Sequence, residues 1–183
     1  ESTFSARGDE LGGALDHMSA IGVSLSSTCY DPIIRFGRQA LSEVEHREAG
    51  PAMEMCARSV ILSAGLVSLM ADDNYNCALA HAVCYGLQHF EHVEREYLHG
   101  DLVAYGALVQ LAVDGQLDKA RELRAFLVSL GTPVTLAQMR VPLEKAALHD
   151  ALIEATTGPD MAHIPYPVTQ DMVFDAMRRV ETL

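Results

Sequence analysis

Apolar residues recur at helical spacing along almost the whole chain, and no run alternates apolar with polar for long enough to make a strand. That property restricts the fold to all-α packing, because helices without a sheet to lie on must bury their apolar stripes against one another. The segments 9–24 (Leu11, Leu15, Met18, Val23), 35–47 (Phe36, Ala40, Leu41, Val44, with Pro32 just ahead), 51–71, 75–95, 99–114, 118–131, 142–156 and 169–181 read as helices. Gly115 and Gly131 sit where helices should end, and TTGPDMAHIPYP, with three prolines, reads as loop. The stretch from Pro51 to about Ala71 is apolar on nearly every side, as a buried helix would be. DDNYN then breaks it, with a cap expected at Asn74 or Asn76. The 183 residues suit one domain, expected to be a multi-helix bundle of about eight helices.

Composition narrows the function. Hydrophobic residues make up 49% of the chain, enough for a sizeable core. With 25 acidic residues against 13 basic ones the net charge is -12, which disfavours phosphate backbones and anionic membranes as partners. The longest apolar stretch, SVILSAGLVSLMA, is interrupted by Ser63, Gly65 and Ser68 and reads as too short to cross a bilayer. No signal peptide is visible at Glu1. The four cysteines form no CxxC pair, and Cys77 and Cys84 read as core packing; a reducing, cytoplasmic setting is expected.

Eight histidines are the most informative feature. His81 and His92 lie about 20° apart in helical azimuth, and His89 about 80° from His81. His89 and His92, in QHFEHVERE, read as a solvated face. His81 is different: it sits in CALAHAVCYG among small apolar residues, where an imidazole needs a hydrogen-bond partner or a metal. His99 opens HGDLVAYG at a helix start. Taken singly, each is either a packed histidine or a ligand.

Together, LAHAVCYG and, eighteen residues on, LHGDLVAYG resemble the paired histidine motif of the glycerol dehydrogenase family, part of the iron-containing alcohol dehydrogenase superfamily. TPVTLAQM resembles that family's turn after an amphipathic helix, and HIPYPVTQDMVFDAM its last helix with the loop before it. ARGDELGGALD resembles the Gly-Asp segment that supplies its third metal ligand. The resemblance runs nearly end to end and corresponds only to the family's C-terminal, metal-binding half. It implies Asp9, His81 and His99 as ligands of one divalent ion, Zn²⁺ or Fe²⁺, with Asp16 and His17 as a fallback for Asp9. Asp101 stands where the family usually has Glu, Val83-Cys84-Tyr85 replaces a more polar stretch, and ADDNYNCAL replaces a glycine-rich one.

The resemblance further implies a small alcohol or polyol substrate and NAD, bound in a full-length parent by a nucleotide-binding domain absent from this chain. Gly12-Gly13 has no βαβ context and reads as no phosphate loop. Two other readings stand beside it: a free-standing helical binding or assembly module that kept the fold, and a sugar-phosphate cyclase of the dehydroquinate synthase kind. Few arginines lie near the histidines, which disfavours a phosphorylated substrate. A homo-oligomer is compatible with all three.

Overall fold

The computed structural model describes the backbone of residues 1–183 and the side chains of all but residues 10 and 11, so the apolar role expected of Leu11 lies outside the described residues. Among the described residues there is no strand, and the all-α expectation holds. The chain divides into two compact units, residues 2–76 and residues 77–183 together with Glu1.

The first unit contains α1 (Ser2–Gly12), α2 (His17–Leu25), α3 (Ser27–Glu45), α4 (Pro51–Arg58), a π-helical turn (Ser59–Ser63), α5 (Ala64–Met70) and a 3-10 turn (Asp73–Tyr75). The single helix expected over 9–24 is two. Gly13 adopts a positive φ of 69° that ends α1, and the Asp16 carboxylate caps α2 by accepting from the Met18 and Ser19 N–H groups. α3 begins well before the expected residue 35 and carries Pro32 inside it. Pro32 has no N–H, so the Thr28 carbonyl lacks its usual helical donor; the Ser59 hydroxyl approaches it at 3.0 Å and the Cys29 carbonyl at 2.9 Å. The Glu43 carboxylate, buried, reaches the start of α4 and accepts from the Met53 N–H at 2.7 Å. A small core of Ala6, Val23, Val67, Ala71 and Tyr75 completes the unit.

Two expectations for the apolar stretch are corrected. Pro51–Met70 forms one helix of 20 residues that is long and apolar enough, by length and composition, to cross a membrane, because Ser63, Gly65 and Ser68 do not interrupt it. Nor is it buried: Ala52, Ser59 and Val67 are covered, whereas Ile61 and Leu69 are 69% and 84% exposed. The turn after it is capped by Asp72, which accepts from the Asn74 N–H, in place of Asn74 or Asn76.

The second unit is built round α6 (Leu79–Leu87), which packs against α8 (His99–Val113) on one side and α10 (His149–Thr157) on another. α11 (Gln170–Val180) lies against α8. α7 (Glu91–Glu96), α9 (Leu117–Ser129) and a 3-10 turn (Pro159–Met161) complete it. Glycines set the separations: a Cβ on Gly106 of α8 would lie 2.2 Å from the Ala80 carbonyl oxygen, and one on Gly86 of α6 would lie 2.5 Å from that of Ala151. Leu79, Val83, Leu87, Leu102, Tyr105, Leu108 and Leu152 are fully buried between these helices. The helix expected over 75–95 breaks where Phe90 is extended, and α7 restarts with Glu91 and Glu94 in its first turn, where acids suit a helix N-terminus. Residues 142–144 are irregular and 145–148 form a turn, so α10 starts later than the pattern suggested.

Candidate metal centre

α6 begins at a residue with no side-chain cap of its own, and its first N–H groups find acceptors elsewhere in the unit. Gln110 Oε1 accepts from the Ala80 N–H at 3.2 Å. Glu1 Oε1 accepts from the Ala78 and His81 N–H groups, both at 3.0 Å, and Glu1 Oε2 lies 2.7 Å from His81 Nδ1. One carboxylate thus caps the helix and grips the ring of its third residue. The bond to Glu1 raises the His81 pKa against the opposing effect of burial. Burial works against the Glu1 charge and the bonds to His81 favour it, leaving the carboxyl below its usual range.

His99 is the first residue of α8, and Asp101 steadies that start by accepting from the Leu98 N–H. Because α6 and α8 pack closely at Gly106, the two imidazoles meet: their ring centres are 5.4 Å apart and tilted by 47°. Two imidazoles on one ion, with metal–nitrogen bonds of about 2.1 Å and a near-tetrahedral angle, would have centres about 5 Å apart. His99 Nδ1 lies 3.4 Å from the sulfur of fully buried Cys84, whose thiol burial pushes up to about 11. Both rings are therefore engaged through Nδ1, and no hydrogen bond engages either Nε2 among the described residues. Tyr85 flanks both, 6.1 Å from each ring centre.

Asp160, on the 3-10 turn against α6, has a buried Oδ2 with no hydrogen-bond partner. Burial raises its pKa, and the field of His81 opposes that rise. Its orphaned oxygen lies within the field of His81, whose Nε2 is unengaged.

The structure thus brings His81 and His99 together. Asp9 lies within α1 of the first unit, where its Oδ2 accepts from the Tyr75 hydroxyl at 3.0 Å; burial, then the Asp9 bond, pushes that phenol up to about 12. The fallback residues are otherwise occupied or exposed: Asp16 is the cap of α2, and His17 is exposed. Among the described residues no group of three or more His, Cys, Asp or Glu side chains is arranged to hold an ion. His89 is exposed as expected, but His92 is half-buried and its Nε2 lies 3.0 Å from the Met139 carbonyl oxygen, which corrects its solvated reading. Cys84 is core, as expected, and also a neighbour of His99; its place three residues after His81 was the available signal. Nothing in the pattern pointed to Glu1 or Asp160.

No family model matches the chain. It is 29% identical over 186 residues to glycerol dehydrogenase of Thermotoga maritima, a match covering 99% of this chain and 49% of that protein. It is 30% identical to hydroxycarboxylate dehydrogenase A of Escherichia coli over 164 residues, 88% of this chain and 45% of the other. This chain is a relative of the glycerol dehydrogenases. It spans about half the length of the curated relatives it matches. The crystal structure of the Schizosaccharomyces pombe glycerol dehydrogenase superposes with a TM-score of 0.83 at 21% identity, covering 100% of this chain and 46% of that one, so the fold is shared as well.

Proposed function

We propose that this chain is the helical, metal-holding part of a dehydrogenase acting on small alcohols or polyols, and that its parent binds NAD through a part outside this chain. The observation that carries the reading is the His81–His99 pair, 5.4 Å between ring centres with each Nδ1 already engaged. His81 and His99 would hold the ion, Zn²⁺ or Fe²⁺, and Asp9 enters as third ligand from the resemblance alone. A divalent cation bound there supplies Lewis-acid polarisation of a substrate hydroxyl or carbonyl. The chain's own residues do the holding: Glu1 orients His81, Cys84 contacts His99, and Tyr85 flanks both. The relatives are named for glycerol and for hydroxycarboxylates, and the substrate class shared by those names is a small hydroxylated molecule. We place the protein in the cytoplasm, with both units acting as one metal-binding half. The assembly-module and cyclase readings have no observation in their favour.

Equilibrium dialysis of the metal-free chain against Zn²⁺ tests this. We expect one ion per chain, with affinity lowered more than about tenfold in His81→Ala and in His99→Ala, since even losing a residue behind a ligand costs that much. Unchanged affinity in either variant would overturn the reading. The same chain should bind NAD only weakly, because no strand–turn–helix phosphate loop exists among the described residues. Micromolar binding by calorimetry would show that the nucleotide part had been placed wrongly.

A further inference from the structure

The two imidazoles are gripped at the same ring atom, Nδ1, by unlike partners: a carboxylate on His81 and a thiol on His99. We propose that Glu1 and Cys84 are positioning residues that fix both rings in the tautomer protonated on Nδ1, reserving both Nε2 lone pairs for a divalent cation. This rests on the metal reading of the site.

The Glu1 half follows from acceptor chemistry. An ionised carboxylate has no proton to give, so the 2.7 Å contact is a bond donated by His81 Nδ1–H. Nor can the carboxylate turn away easily, because its other oxygen is held by two backbone donors, Ala78 and His81. Ring and carboxylate are anchored to the same helix start, and the side chain that aims His81 also satisfies orphaned N–H groups there.

The Cys84 half rests on where one proton goes. The thiol is fully buried and has a single hydrogen to donate. Its sulfur lies 3.9 Å from the His99 carbonyl oxygen and 3.4 Å from His99 Nδ1. The S–H is assigned to the carbonyl, which leaves the sulfur to accept from Nδ1–H; an S–H given to Nδ1 instead would put the ring proton on Nε2, the result that overturns the inference. A thiol sulfur is a weak acceptor, so Cys84 is the softer of the two holds. Its position is nonetheless tightly set, because it belongs to the fully buried face of α6.

The tautomers can be read without any metal. Two-bond proton–nitrogen correlation spectra of the ¹⁵N-labelled, metal-free chain, recorded at alkaline pH where the rings are neutral, should show Nδ1–H for both His81 and His99. Nε2–H at either ring overturns the inference. Zinc competition titrations against a chromophoric chelator then test the consequence. Glu1→Ala and Cys84→Ala should weaken zinc binding by about 10–100-fold. Glu1→Gln and Cys84→Ser, which keep an acceptor oxygen, should stay near the unaltered protein. Alanine variants that bind zinc as tightly as the unaltered chain, or serine and glutamine variants as weak as the alanines, overturn it. Should an alanine variant fail to fold, the spectrum of the unaltered chain still decides. Absence of zinc binding by the unaltered chain sinks the proposed function itself, a result separate from the tautomers.

Discussion

The unit of residues 2–76 and the unit of residues 77–183 are both helical and both rich in small apolar residues, yet different forces hold each together. Of the six buried polar side chains among the described residues, Ser2, Ser5, Ser19, Glu43 and Ser59 belong to the first unit and Gln110 alone to the second. The first unit leans on polar ties: Ser59 on the Thr28 and Cys29 carbonyls, Glu43 on the start of α4, Ser19 on the Asp72 N–H, Ser5 on the Asn74 carbonyl. The second leans more on close helix contacts, with backbone meeting backbone at Gly86 and Gly106, although the first has a like crossing where Gly22 meets the Ala71 backbone. Two helices sharpen the contrast. Pro51–Met70 and α6 are equally apolar to the eye, but the first is largely exposed and seven of the nine residues of α6 are buried. Hydropathy says that a helix has an apolar face; small residues at the crossing points say which helix is enclosed.

The largest effect should come from filling such a crossing. Gly106→Ala would put a Cβ 2.2 Å from the Ala80 carbonyl oxygen, so α6 and α8 must separate. We expect a loss of about 3 kcal/mol or more in urea unfolding, at the upper end of overpacking costs. It should also widen the His81–His99 approach, lowering zinc affinity with no ligand removed. A variant as stable as the parent would show that the second unit is not held by this contact.

Next come the polar ties of the first unit. Ser59→Ala leaves the Thr28 carbonyl, already deprived of a helical donor by Pro32, without its hydroxyl; about 1–3 kcal/mol should be lost. Glu43 adds a pH signature. The Met53 N–H, against burial, holds its carboxyl below the usual range, so its stabilisation is fully present above the ordinary glutamate value and is lost as pH falls through the lowered one. Thermal melts between about pH 6 and pH 3 should lose part of their acid sensitivity in Glu43→Gln, and an unchanged profile would show that the tie carries no weight.

What the pattern of residues disclosed follows the same division. Helix starts and stops that depend on local chemistry, such as Gly115, Gly131 and the start of α8 at His99, were readable, and the histidine pair was readable through the resemblance of its two motifs to those of the glycerol dehydrogenase family. Features made by distant residues were not. Glu1 reaches a helix start 77 residues away, Ser59 repairs a proline defect 31 residues earlier, and Asp160 arrives on a separate turn. The enclosed and exposed apolar helices differ by what covers them, and hydropathy does not carry that information.

A smaller effect, of opposite sign, is expected in the exposed helix. Gly65 lies in α5 with open space around its Cβ position. Gly65→Ala should therefore stabilise by about 0.5–1 kcal/mol, through helix propensity alone. The same substitution would thus have opposite signs at Gly106 and at Gly65, and a destabilising result at Gly65 would mean that this face is covered in solution.

The smallest effect tests whether close packing in the second unit tolerates an imperfect polar group. Tyr105 is fully buried on α8, its hydroxyl has no hydrogen-bond partner, and burial, with the charge of Glu181, pushes its pKa well up. A buried, unpaired hydroxyl costs free energy that the aromatic ring must offset by the area it buries. Tyr105→Phe keeps the ring and removes the orphan, so the melting temperature should stay level or rise by a few degrees, about what 1 kcal/mol gives in a unit of this size. Were Tyr105→Phe to destabilise instead, the hydroxyl must have a partner, and the second unit would then have a polar tie at α8 beside those that Gln110 and Glu1 make at the start of α6.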